Sequence, residues 1–161
     1  MDESRLTEQE CLDVLACASA ARLAVTRRGY PYIELVGLVD LDGEPVVLLP
    51  ETSVIKHLLS AVVSPRRLVV LQTDDLADSR QSVRSVTALA RPRWVVDPGG
   101  VSACHRAAAI RGIAVTADTW FLALTHPTLV GRRVPLREVR LRGAPVAVRP
   151  VAGQVLGEGE Q

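Results

Sequence analysis

The chain has 161 residues, 19 basic against 18 acidic, with 48% of them apolar. That is the length of one domain able to fold around its own core, and near-neutrality removes the long-range field that would steer the whole chain to nucleic acid or to an anionic membrane. The opening MDESRLTEQE has neither the basic start nor the apolar stretch of an export signal, and no run approaches a membrane span, so a cytoplasmic protein is expected.

In chain order, Thr7 and Glu10 have capping-box spacing and predict a helix over 8–18, with Leu12, Leu15 and Ala16 as its apolar stripe. RLAVT, YIELVGLVDL and PVVLLP then read as three strands joined by the turns RRGYP and LDGE, connections too short for a parallel crossover. TSVIKHLLSAVV predicts a short helix capped by Thr52 or Ser53, with Val54, Leu58 and Ala61 on one face. RRLVVLQTD is a fourth strand and SVRSVTALARPRWVVD a long fifth, bent near Arg91 and Pro92. VSACHRAAAIRG reads as a helix ending at Gly112, and TWFLALTHPTLVG as a sixth strand. The fold class expected is mainly β: a six-stranded antiparallel barrel with short flanking helices, over residues 1–145. Residues 146–161, rich in Gly, Pro and small residues, read as a flexible tail.

Cys11, Cys17 and Cys104 are odd in number and lack CxxC spacing, so they read as small buried hydrophobes, with no zinc site or disulfide framework. Arginine stands for lysine everywhere except at Lys56. That single lysine lies just inside a helix whose first NH groups, with the Thr52 and Ser53 hydroxyls, would suit a phosphate; the alternative is a solvated lysine on an amphipathic helix. No nucleophile elbow, HExxH or phosphate loop is present, and no catalytic residue is named.

The segments ECLDVLACASAARLAV, GYPYIELVGLVD, VVLLPETSVIKHL, SVRSVTALARP and TWFLALTHPTLVGRRV resemble, in order and spacing, the pyridoxamine 5'-phosphate oxidase-like family of FMN-binding split barrels, over residues 8–134. The resemblance implies a homodimer holding FMN in a cleft at the subunit interface. It also implies an oxidoreductase that moves a hydride to or from a small-molecule substrate, with the deazaflavin F420 as the alternative in actinobacterial relatives. Lys56 falls on the family's phosphate-clamping lysine, joined by Thr52 and Ser53. Glu34, Leu35, Val36 and Gly37, together with Ser82, Val83 and Arg84, would border the flavin ring; Arg132, from the family's GRR, could reach a phosphate or close the dimer. Trp120 and Phe121 would serve the core or wall the cleft.

The chain departs from that pattern. Leu49 and Pro50 replace a phosphate-binding arginine and its hydroxyl neighbour. The tryptophan before the fifth strand is Gln81 or Arg84, and the glycine that follows is Ala88. Strand alternation puts Glu34 and Val36 on one face and Leu35 and Gly37 on the other, leaving open which pair lines the cleft. These departures keep a second reading: a split barrel without flavin that binds another small molecule, or haem through His57, with His105 and His126 as the other histidines.

Overall fold

The structure, a computed structural model, describes residues 5–60, 67–76 and 82–135. Thr7 starts the first helix: its hydroxyl accepts from the Glu10 NH at 3.2 Å while the Glu10 carboxylate accepts from the Thr7 NH at 2.8 Å, and α1 runs Glu8–Cys17. The meander follows as β1 Ala20–Arg27, β2 Tyr30–Leu41 and β3 Glu44–Leu49. Its two hairpins turn on Arg28-Gly29 and Asp42-Gly43, all four at positive φ, the geometry that matches the twist of the flanking strands. Then come α2 Val54–Ser60, β4 Val69–Asp75, β5 Ser82–Trp94, α3 Pro98–Ile110 and β6 Trp120–Pro135.

The strands close in the order β1-β2-β3-β6-β5-β4, every pairing antiparallel, with β1 against β4 sealing the ring. The expected six-stranded barrel is the fold. Its bend is also where the sequence put it: the β5–β6 register shifts between Leu89 and Arg91, beside Pro92, which has no NH to give to the ladder.

Alternation fills the interior with Leu23, Leu38, Leu49, Leu71, Leu122 and Leu124. Helix α1 adds Cys11, Val14 and Leu15 to this core, and α2 adds Ile55, Leu58 and Leu59. A second, smaller core lies outside the barrel, where Cys104 and Ala108 of α3 cover Val39, Val46, Leu48, Phe121 and Ala123 of β2, β3 and β6. Asp97 caps α3 through the Gly100 NH, so this helix starts three residues before the predicted one.

Three local expectations change. The α1 stripe is Cys11, Val14 and Leu15, one residue off the predicted set, because the helix docks on β6, where Gly131 admits Cys11 and Leu6. On α2 the buried side chains are Ile55, Lys56, Leu58 and Leu59, while Val54 is exposed, since the helix packs Ile55, Leu58 and Leu59 into the barrel core. Cys17 is exposed at the end of α1, whereas Cys11 and Cys104 are buried, and burial pushes both of their thiols up. Ala61, Gln81 and the predicted tail 146–161 lie outside the described residues. No helix among the described residues is long and apolar enough to cross a membrane.

Candidate functional site

Strand β2 separates the two candidate faces. Val36 and Leu38 point into the barrel and Glu34 shares their side, whereas Leu35 is outward and 77% exposed. Inside, Glu34 meets the start of α2. One carboxylate oxygen accepts from the Ser53 hydroxyl at 2.6 Å and the other from the Ile55 NH at 3.1 Å. Ser53, one of the two caps anticipated for this helix, accepts in turn from the Lys56 NH at 3.0 Å. Thr52 stays exposed in the turn before it.

Lys56 is 93% buried by its residue exposure of 7%, so it is not a solvated helix lysine. Its ammonium lies 2.6 Å from Glu51 and 4.5 Å from the centre of the Trp120 ring. The other Glu51 oxygen accepts from the Trp120 indole NH at 2.6 Å, and Trp94 stands edge-on to Trp120 at 5.7 Å. These contacts hold the Glu51 carboxyl below its ordinary range, first through the Lys56 hydrogen bond and then through the indole. Glu51 and Trp94 were not foreseen as site residues. Glu51 lies in a turn and Trp94 at the end of a bent strand, so no periodic pattern points from either to Lys56.

The outer face carries the rest. Gly37 lets the chain after α3 come close: a Cβ there would sit 3.3 Å from Leu48 and 3.6 Å from Ile113. The result is a groove of about 270 Å³ lined by Leu35, Gly37, Leu48, Pro50, Ile113 and Val115. A larger hollow of about 430 Å³ adjoins it at Thr119, between Trp120, Glu51, Val96 and Asp118. Phe121 is buried under α3, whereas Trp120 is 40% exposed.

Ser82, Val83 and Arg84 start β5, and Arg84 pairs with Asp75. Strands β1 and β4 lie between them and β2, so three strand spacings, about 14 Å around the barrel, separate the two groups expected to border one ring. One subunit does not bring them together. Arg132 is exposed on β6, while Arg133 reaches Glu10 of α1 at 3.2 Å. His57 is exposed on α2, His126 lies at a positive-φ bend, and His105 packs edge-on against Phe121 at 5.0 Å.

No protein-family model matches the sequence and no curated protein matches it. Solved structures do. The FAD-binding protein of Mycobacterium smegmatis is 21% identical, with 83% of this chain covering 100% of that one at a TM-score of 0.65. A candidate pyridoxamine 5'-phosphate oxidase from Corynebacterium glutamicum is also 21% identical, covers 86% of this chain and 99% of its own, and has a TM-score of 0.63. The chain has the split-barrel fold of the pyridoxamine 5'-phosphate oxidase-like proteins. The haem storage protein of Vibrio cholerae matches as well, 16% identical over 78% of this chain and 94% of its own, at a TM-score of 0.56.

Within the split barrel, Lys56, Ser53 and Thr52 are the residues that the sequence resemblance points to for a flavin phosphate. Two of the three are already engaged: Ser53 and the Ile55 NH serve Glu34, and Lys56 serves Glu51. Glu34 holds the Ser53 and Ile55 donors and Glu51 holds the Lys56 ammonium, and a phosphate monoester would bring a further −1.5 to −2 charges, roughly, beside those carboxylates. In this arrangement the residues do not fit an FMN phosphate. The outward groove, apolar and open, fits a flat and mainly apolar molecule.

Proposed function

We propose that this chain is a cytoplasmic homodimeric split barrel that binds a planar small molecule on the outer face of β2, without a phosphate anchor. The observation that carries the reading is the exposed β2 strip: Ile33 and Leu35 are 65% and 77% exposed on a regular strand, beside the groove at Gly37. Register extends the strip across the sheet. Ile33 pairs with Ala24, Ala24 with Val70 and Val70 with Leu89, a row of apolar side chains crossing four strands, exposed at Ile33 and Leu89 and half-buried at Ala24 and Val70. A second copy laid against this row would bury it.

The second reading is a flavin- or F420-dependent oxidoreductase working by hydride transfer in the same cleft. The structural likeness to an FAD-binding protein favours it. If FMN were the cofactor, the engaged state of Lys56 would have to be undone on binding. Haem held through His57 is a further form of the binding reading, supported by the exposure of that side chain and the likeness to a haem storage protein.

A visible spectrum of the purified protein, followed by titrations with riboflavin, FMN, F420 and haemin, separates these. The first reading expects no flavin band as purified and quenching of Trp120 fluorescence by an uncharged planar ligand such as riboflavin. A co-purified flavin, or saturable FMN binding lost in Lys56→Ala, would replace it with the oxidoreductase reading. A Soret band lost in His57→Ala would assign haem.

A further inference from the structure

We infer that the hollow beside Trp120 is a binding site for an organic cation, a protonated amine carried on a short apolar chain. The hollow adjoins the groove at Gly37, but the inference goes beyond the reading above and does not depend on what the groove holds.

At about 430 Å³ the hollow is larger than the groove and has room for a chain of several methylenes. Val95 after β5, Val101 on α3 and Phe121 on β6 give it an apolar wall. Such a wall favours an aliphatic chain leaving water, by about four-fold in affinity for each methylene fully buried. Two charged side chains line the hollow, Glu51 and Asp118, and both are acidic. Glu51 already accepts an ammonium, because Lys56 reaches one of its oxygens at 2.6 Å. Lys56 itself is buried and does not line the hollow, whereas the Glu51 side chain is 53% exposed. Its carboxylate offers about four acceptor positions, of which the Lys56 ammonium and the Trp120 indole NH use two. Both contacts keep that carboxyl ionised. Asp118 sits in the turn that the Thr119 NH closes on the Thr116 carbonyl at 3.1 Å, and among the described residues its carboxylate has no hydrogen-bond or ion-pair partner. Arg93, on the strand leading to Val95, is paired with Glu44 at 2.8 Å. Lys56 balances one carboxylate and the other stays uncompensated beside an apolar wall, a combination that attracts an amine and repels a carboxylic acid of the same length.

Three ligands of one length separate the contributions: n-octylamine, n-octanol and n-octanoate, titrated into the full chain and followed by tryptophan emission and calorimetry. Wild type is expected to bind octylamine most tightly and octanoate most weakly, and to bind hexylamine about ten-fold more weakly than octylamine. Asp118→Asn should narrow the gap between octylamine and octanol by about three-fold, the worth of one exposed ion pair, and leave octanol unchanged. Val96 also lines the hollow and is 75% exposed, so Val96→Arg leaves the core intact; it should reverse the order and favour octanoate.

A wild type that binds octanoate as tightly as octylamine, or binds neither, would overturn the inference. So would either variant, folded by circular dichroism, with the selectivity of wild type. Riboflavin binding tests the groove separately: its absence with amine selectivity intact would sink the groove reading alone, and its presence with no amine binding would sink this one alone.

Discussion

With its ammonium between the Glu51 carboxylate and the Trp120 ring, Lys56 is a structural cation held at a helix start. Replacing it by Met keeps the apolar stem and removes only the charge. Lys56→Met should lower stability by about 1–2 kcal/mol in urea, the sum of a cation–π contact and a partly exposed ion pair, and should shift the tryptophan emission. An unchanged midpoint and spectrum would show that the cluster holds nothing together. The carboxyls give a second prediction. Glu10 is held below its ordinary value of 4.5, first by the Thr7 NH, and Glu51 likewise by Lys56. Groups depressed on folding stabilise the protein above their unfolded pKa, and that contribution is lost as pH falls through the lower folded value. Melting temperature should therefore drop on acidification below about pH 4.5, and the double variant Glu10→Gln with Glu51→Gln should show a shallower drop. Equal slopes for wild type and variant would assign the acid sensitivity to other groups.

Helix α1 depends on one position of β6. A Cβ at Gly131 would run into the Cys11 sulfur and come within 2.9 Å of Leu6, so the helix can dock only on a bare backbone. Gly131→Ala should cost about 1–3 kcal/mol in denaturant unfolding, and Cys11→Ala in the same chain should recover part of it. Strict additivity of the two changes would mean that the contact is slack. The same docking explains why the α1 stripe could not be read to the residue. Leu12 and Ala16 have the right spacing for an apolar face, but the choice between neighbouring faces was made by a glycine more than a hundred residues away. Strands and turns were easier to read, because period-two alternation and the Arg28-Gly29 and Asp42-Gly43 turns act within a few residues.

Across the whole molecule, the open question of assembly sits on the row from Ile33 to Leu89. Leu35→Glu, on the most exposed part of β2, is expected to give a monomer in light scattering where wild type gives a dimer, with the barrel still folded by circular dichroism. A dimeric Leu35→Glu, or a monomeric wild type, would remove this face from the interface. Closure itself has a simpler basis. With β1 paired to β4 the sheet has no free long edge, and both cores form around the closed ring, one inside it and one beneath α3.

Sequence alone determined the strand meander, the helix starts at Thr7 and at Thr52 or Ser53 and the bend near Pro92, and it singled out Lys56, because each of these depends on a local pattern or a break in composition. It could not decide what Lys56 and Glu34 do. Glu34 reaches α2 across 19 and 21 residues and Glu51 reaches Trp120 across 69, contacts with no period to reveal them. Only the closed barrel, by carrying β2 past the start of α2 and β6 beside its preceding turn, brought two carboxylates and an indole to that corner and paired Lys56 with Glu51.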